Sequence, residues 1–150
     1  MTSSRRFDPL LRRAQEREDS AARELAERQH TLSQHETRLQ ELRSYLNEYT
    51  GAAFATASPA QLANQRAFLD RLDAAVQQQC QNVDRSRASV DLERNRLLLA
   101  SRDKQVLEKL AASYRVQERQ ASERRDQREL DDLGARGARQ RALAESGSTG

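Results

Sequence analysis

The sequence predicts an all-α fold, a long antiparallel two-helix coiled-coil hairpin in which the second helix is longer than the first. Apolar residues recur at coiled-coil spacing in both halves of the chain, and a single credible turn separates the two halves. Charged residues make up 33% of the chain and aromatic residues 4%. A chain this polar does not fill a globular core, but it folds if each helix buries one stripe.

The second half of the chain carries a seven-residue apolar repeat, the spacing that keeps one face of a helix against a partner helix. Its members are Leu62, Leu69, Val76, Val83, Val90 and Leu97. The intermediate positions of this repeat are mostly polar, as Gln79, Ser86 and Glu93 show. The repeat therefore predicts a narrow, weakly specified seam.

The first half carries a matching stripe from Phe7 to Tyr49, with seam residues Leu25, Leu32, Leu39 and Leu46. Glu18, Arg28 and His35 also fall on seam positions. Polar residues there either fix the register of the two helices at a cost in stability or extend their polar ends from a loose seam into solvent. The sequence leaves both readings open.

Local signals place the boundaries of these elements. Gly51 suits a left-handed position after the first helix, Ser58 to Gln61 form a capping box, and Gly134 and Gly137 mark the end of the second helix. The predicted segments are a flexible N-terminus (1–7), a first helix (8–50), a turn (51–58), a second helix (59–133) that overhangs the first after about residue 105, and a disordered tail (134–150). Folding back at this turn brings Phe7 near residue 102. The same stripes also suit pairing between chains, so the oligomeric state stays open.

The residue types needed for catalysis or metal binding are sparse. His30 and His35 are five positions apart, which does not give a chelating pair on one helix face. Cys80 has no nearby histidine that would make it a nucleophile. Because it is the single cysteine, an intrachain disulfide is excluded, which fits a reducing compartment. No glycine-rich phosphate loop is present. We therefore expect a protein that is not an enzyme and has no cofactor or metal site.

Charge and hydropathy exclude further classes of protein. The net charge of +3 is small, and acidic residues are interspersed with the arginines throughout, which argues against nucleic-acid binding. This also holds for the arginine-rich segment 115–141, which we interpret as a solvated or protein-docking face. No apolar run approaches the roughly 20 residues that span a bilayer, and no secretory signal is evident.

Phe68 is the residue that most suggests a binding surface. It precedes seam residue Leu69, and it begins a line beside the main stripe that continues with Leu72, Ala75 and Gln79. A large apolar residue on a helix flank suggests a docking site. The alternative is that Phe68 folds over Phe54 or over the first helix near the turn.

Five segments, taken in their order and spacing, resemble the FliJ family of bacterial flagellar export proteins, and the likeness covers nearly the whole chain. They are Phe7–Ala14, Ala21–Leu25, Tyr45–Tyr49 at the end of the first helix, Phe68–Val76 early in the second helix, and Glu123–Asp132.

The resemblance implies a non-catalytic, cytoplasmic part of the flagellar type III export apparatus, peripheral at the inner membrane near the flagellar base. It implies a coiled coil similar to the stalk of rotary ATPases that binds the hexameric export ATPase, the export-gate membrane protein and export chaperones. The residues expected at the export gate are Phe68, Leu72, Ala75 and Gln79. Those expected at the ATPase are Phe7, Leu10 and Leu11.

Two alternatives remain from the sequence. A generic coiled-coil scaffold or chaperone outside motility fits the polar seam and the charged faces. The equivalent stalk of a virulence type III secretion system has the same periodicity. The sequence also leaves open which chaperones bind.

Overall fold

The structure is a computed structural model that describes residues 3–51 and 58–147. A 3₁₀ turn at Ser3–Arg6 leads into helix α1, Phe7–Gly51, which is followed by helix α2, Pro59–Gly147. The two helices contain 45 and 89 residues. The predicted all-α fold with a longer second helix is confirmed. The described residues form two compact units, a mid-chain unit from Ala14 to Asp103 and a terminal unit that joins the residues up to Arg13 with those from Lys104 onward.

The start of α2 is fixed by the predicted capping box. The backbone N–H of Gln61 donates to Ser58 Oγ at 3.3 Å, and the Ser58 N–H donates to Gln61 Oε1 at 3.0 Å. Pro59 occupies the first helical position, where its missing N–H would have no partner in the helix. The two reciprocal bonds give partners to the backbone N–H groups of Ser58 and Gln61, which the start of a helix otherwise leaves to water.

In the mid-chain unit the two helices run antiparallel. Contacts advance along α2 as they go back along α1: Tyr49 with Phe68, Arg43 with Cys80, and Glu36 with Arg87. Leu39, Val76 and Val83 form the buried core cluster, and Leu32, Leu42 and Leu46 pack against it. Val90 is also buried, Leu25, Leu69 and Leu97 are half-buried, and Leu62 is 44% exposed.

Between these apolar layers the seam of α2 is polar. Gln79, Ser86 and Glu93 are 8%, 9% and 4% exposed, and they follow one another at seven-residue spacing. Gln79 Nε2 donates to the main-chain oxygen of His35 at 2.9 Å and lies 3.2 Å from His35 Nδ1. A seam with alternating apolar and polar layers buries little apolar surface, so each remaining valine contributes a large share of the stability.

In the terminal unit the N-terminal segment lies against a later part of α2 than the sequence suggested. The ring centroids of Phe7 and Tyr114 are 5.2 Å apart, and Ser4 is bonded to Glu118. The expected position of Phe7 near residue 102 is therefore wrong, and pairing continues beyond the predicted overhang at about residue 105. The difference arises at the start of α2. Phe68 is the residue opposite Tyr49, so α2 begins about nine residues before this contact, and every later pairing is displaced along α2.

Several predicted boundaries also differ. Gly51 is the last residue of α1 and, with no glycine of the described ranges at positive φ, it does not adopt the left-handed conformation. α2 continues through Gly134 and Gly137 to Gly147, although we expected it to end at Leu133. Alanine, arginine, glutamine and leucine between these glycines favour the helix enough to offset a cost of about 1 kcal/mol for each glycine. The predicted turn at 51–58, with Phe54, falls almost entirely outside the described residues.

Candidate functional site

Phe68 lies at an exposed aromatic pair on the mid-chain unit. Its ring meets that of Tyr49 edge-on, with centroids 5.0 Å apart and an interplanar angle of 68°. Phe68 is 42% exposed and Tyr49 46% exposed, so the edge-on contact leaves part of each ring accessible to solvent. The contact with the first helix, which the sequence offered as the alternative to docking, is present, and the exposed part of the ring remains open to a partner.

The three other residues of the predicted gate surface are not equally accessible. Leu72 and Ala75 are half-buried. Gln79 is buried, with its amide bonded to His35 and its Oε1 accepting from Asn82 Nδ2 at 3.1 Å. Gln79 belongs to the seam, which its seven-residue spacing from Ser86 already indicated. The accessible part of this surface is therefore Phe68 together with the exposed atoms of the half-buried Leu72 and Ala75.

Sequence reasoning missed two features beside Phe68. The first is the partner ring of Tyr49, with Tyr45, 54% exposed, one turn before it on α1. The second is an open groove of about 540 Å³ along the first turns of α2, lined in part by Pro59, Leu62 and Leu69. Leu62 continues the apolar repeat, but α1 ends at Gly51, and no described residue of α1 lies opposite it. The offset between the helices, not the repeat itself, exposes this apolar surface.

The residues predicted to bind the ATPase lie in the terminal unit. Phe7 is half-buried against Tyr114, Leu10 is 47% exposed, and Leu11 is half-buried. Arg6, Phe7, Leu10 and Tyr114 line a shallow groove of about 250 Å³. The structure thus brings Phe7 and Leu10 together in one accessible groove, whereas Leu11 is not among the residues that line it.

A second contact in the terminal unit was not foreseen. The Glu118 carboxylate accepts from the Ser4 backbone N–H at 2.8 Å and from Ser4 Oγ at 2.7 Å. Ser4 is only 7% exposed. A carboxylate that takes both donors stabilises the start of the 3₁₀ turn as a cap residue would, because first-turn N–H groups lack partners within the turn. The sequence signal was the seven-residue step from Ala111 to Glu118, continuing the seam of α2.

Replacing Glu118 by alanine should release this N-terminal segment. We expect the Ser4 amide to exchange with solvent at least tenfold faster, because a hydrogen bond to a charged group contributes about 1.5–3 kcal/mol. Hydrogen exchange followed by NMR measures the effect. Glu123→Ala, at an exposed position further along α2, is the matched control and should leave the exchange unchanged. Equal rates in both variants would show that Glu118 does not hold Ser4.

Beyond Glu118, the side chains of α2 up to Gly147 are exposed, apart from partly covered Gly137. Arg124, Arg125 and Arg128 alternate with Glu123, Asp126 and Glu129 along this stretch. The alternating charges produce no field of one sign, and the side chains present a solvated helix face. This part of the helix is held by its own propensity and not by a partner helix among the described residues.

No group of three or more histidine, cysteine, aspartate or glutamate side chains is placed to hold a metal ion in residues 3–51 and 58–147. Within the same ranges, no helix has the length and apolar character needed to cross a membrane.

The surfaces described above are grooves and exposed side chains on paired helices, which defines a coiled-coil interaction protein. The family described as "Flagellar FliJ protein" matches residues 3–143 of the chain. The protein therefore belongs to the FliJ family, a non-catalytic family of flagellar proteins related to export. Searches among curated proteins and among solved structures gave no match.

Proposed function

We propose that this protein is a non-catalytic stalk and adaptor of the flagellar type III export apparatus, acting in the cytoplasm and peripherally at the inner membrane. In this role it binds the hexameric export ATPase, the export-gate membrane protein and export chaperones. The observation that carries the proposal is the family match along residues 3–143 of a chain whose two units are both paired helices. Such a protein acts through its surfaces, and the accessible aromatic and aliphatic side chains supply them.

The terminal unit supports the ATPase contact. Leu10 is exposed beside the half-buried Phe7, whose ring packs against that of Tyr114, so an accessible apolar side chain lies next to an aromatic pair. Arg6 lines the same groove. Interfaces gain most of their binding energy from a few such anchors in partly enclosed positions, with charged residues at the rim.

Titration of the purified export ATPase with this protein tests the stalk role. We expect faster ATP turnover and more complete ring assembly with the wild-type chain, and a loss of both effects with Leu10→Asp. Leu92→Asp is the matched control, because Leu92 is 51% exposed but lies on the mid-chain unit. Turnover and assembly that do not respond to the wild-type protein would contradict the role.

The mid-chain unit supports the gate contact through Phe68. We expect Phe68→Ala to weaken binding to the cytoplasmic part of the export gate by about tenfold or more, since a hot-spot aromatic contributes about 2 kcal/mol or more. Helix content should not change, because Phe68 lies off the seam and is 42% exposed. Calorimetric titration and far-UV circular dichroism measure the two quantities.

Two further variants separate binding from folding. Tyr49→Ala removes the partner ring but keeps Phe68, and Leu98→Ala changes another exposed residue of α2 in the same unit. Leu98→Ala should bind as the wild type does. If Phe68→Ala loses helicity, then Phe68 is structural and the gate assignment fails.

Deletion of the gene tests whether the protein acts in flagellar export in the cell. A mutant that lacks the protein should fail to swim and should recover when the wild-type gene is restored. Full motility without the protein would favour a general coiled-coil scaffold. Lost secretion of virulence proteins with intact swimming would favour the equivalent stalk of the other type III system.

A further inference from the structure

A polar groove lies between the helices of the mid-chain unit, where the seam layers of His35 and Ser86 meet. It measures about 350 Å³ and is lined by Arg28, Thr31 and His35 from α1 and by Asn82, Arg85, Ser86 and Ser89 from α2. Every one of these side chains carries a hydrogen-bond donor, and none is acidic. The groove therefore combines two arginines with uncharged donors from both helices.

The seam contacts define how His35 participates. Gln79 Nε2, an amide donor, lies 3.2 Å from His35 Nδ1, and the Gln79 Oε1 atom is already accepting from Asn82. Nδ1 of His35 is therefore engaged by Gln79, and Nε2 is the ring nitrogen left for a ligand. His35 and the buried Ser86 thus add an imidazole and a hydroxyl group to the lining of the groove.

The two arginines come from opposite helices. Arg28 already donates to Glu24, with Nη2 at 3.1 Å, and both side chains are well exposed. Arg85 is the one whose charge no carboxylate of the described ranges pairs. A nearby groove of the same volume provides the contrast: it also contains two arginines, Arg43 and Arg87, but Glu36 lines it and lies 3.7 Å from Arg87.

We propose that the groove of Arg28, His35, Arg85 and Ser86 binds a phosphate-type oxyanion, either free phosphate or the phosphate ester of a lipid headgroup. Guanidinium groups match the oxygens of phosphate with two parallel hydrogen bonds, and hydroxyl and imidazole groups complete the shell. Because the lining comes from both helices, the bound anion links them across a weakly apolar stretch of the seam. Binding therefore stabilises the helix pair by mass action.

NMR titration of the full-length protein with inorganic phosphate, at constant ionic strength set by chloride, tests the proposal. We expect saturable shifts of the amide signals around Arg28, His35, Arg85 and Ser86, and a rise in the melting temperature over the same concentration range. Arg85→Gln should weaken the affinity about tenfold or more, as the loss of a charge-assisted contact does. Arg87→Gln, in the groove that already contains a carboxylate, should retain the affinity.

A second arm distinguishes the two sources of phosphate. Vesicles of phosphatidylglycerol are compared with vesicles of phosphatidylcholine in sedimentation assays with the wild-type and Arg85→Gln proteins. Saturable binding of free phosphate that is lost in Arg85→Gln supports a soluble oxyanion. Sedimentation with phosphatidylglycerol alone, lost in the same variant, supports the headgroup. The proposal is overturned by no response in either arm, or by a response that Arg85→Gln and Arg87→Gln share.

Discussion

Val90→Asp should lower the free energy of unfolding by about 3–5 kcal/mol, the cost of an uncompensated charge in a buried position. Val90 is 4% exposed and lies between the polar layers of Ser86 and Glu93. The new carboxylate is one helical turn from that of Glu93, so the two like charges repel each other on the same face. A typical domain has only about 5–15 kcal/mol of stability in total. Urea titration followed by far-UV circular dichroism measures the loss.

The same substitution at an exposed position isolates the effect of burial. Val106 is 56% exposed on the same helix, and Val106→Asp should change the free energy of unfolding by about 0.5 kcal/mol or less. Equal losses in the two variants would mean that the seam is not the structure that stabilises the protein, and that helix propensity alone accounts for the change.

The seam could be predicted because burial follows the period of the apolar repeat. Val76, Val83 and Val90 are the buried members of the apolar repeat of α2, at seven-residue spacing. The polar residues at the alternate positions are equally buried, since geometry places a side chain in the seam whether or not it is apolar. Periodicity identifies which face is covered, but it does not say which residue of the other helix covers it.

The register between the helices was the part that sequence reasoning missed. We placed the pairing immediately after the turn, whereas the structure pairs Tyr49 with Phe68 and Phe7 with Tyr114. The stripes are apolar at few positions, so several offsets of one seven-residue repeat bury nearly the same surface. Contacts that distinguish these offsets, such as the bond between Gln79 and His35, involve polar residues that have no periodic signal.

For the candidate site too, the sequence predicted exposure better than it predicted contacts. The exposure of Phe68 followed from its place beside the seam, but its contact with Tyr49 depends on the register. Gln79 was placed on the docking line because it is four residues beyond Ala75, although its spacing from Val76 and Ser86 put it in the seam. The binding roles of Phe68, Leu72, Ala75, Phe7, Leu10 and Leu11 stay predictions.

Glu93 is the clearest case of a polar residue that the seam holds at a cost. Its side chain is 5% exposed and accepts from Arg96 Nη1 at 2.9 Å, while the Arg96 side chain is 60% exposed. The pair therefore combines a buried carboxylate with a solvated guanidinium three residues later. Desolvation of the carboxylate opposes folding, and an ion pair with an exposed partner returns only part of that cost.

Glu93→Leu should accordingly raise the free energy of unfolding by about 1–3 kcal/mol, because a leucine fills the seam position with apolar surface and leaves Arg96 in water. Chemical denaturation measures the gain. Glu41→Leu, at an exposed position of α1 in the same unit, should change the stability by about 0.5 kcal/mol or less. A lower stability of Glu93→Leu would show that the pair with Arg96 contributes more than desolvation takes away. The expected gain, in contrast, implies that the polar layer of Glu93 limits the stability of the helix pair.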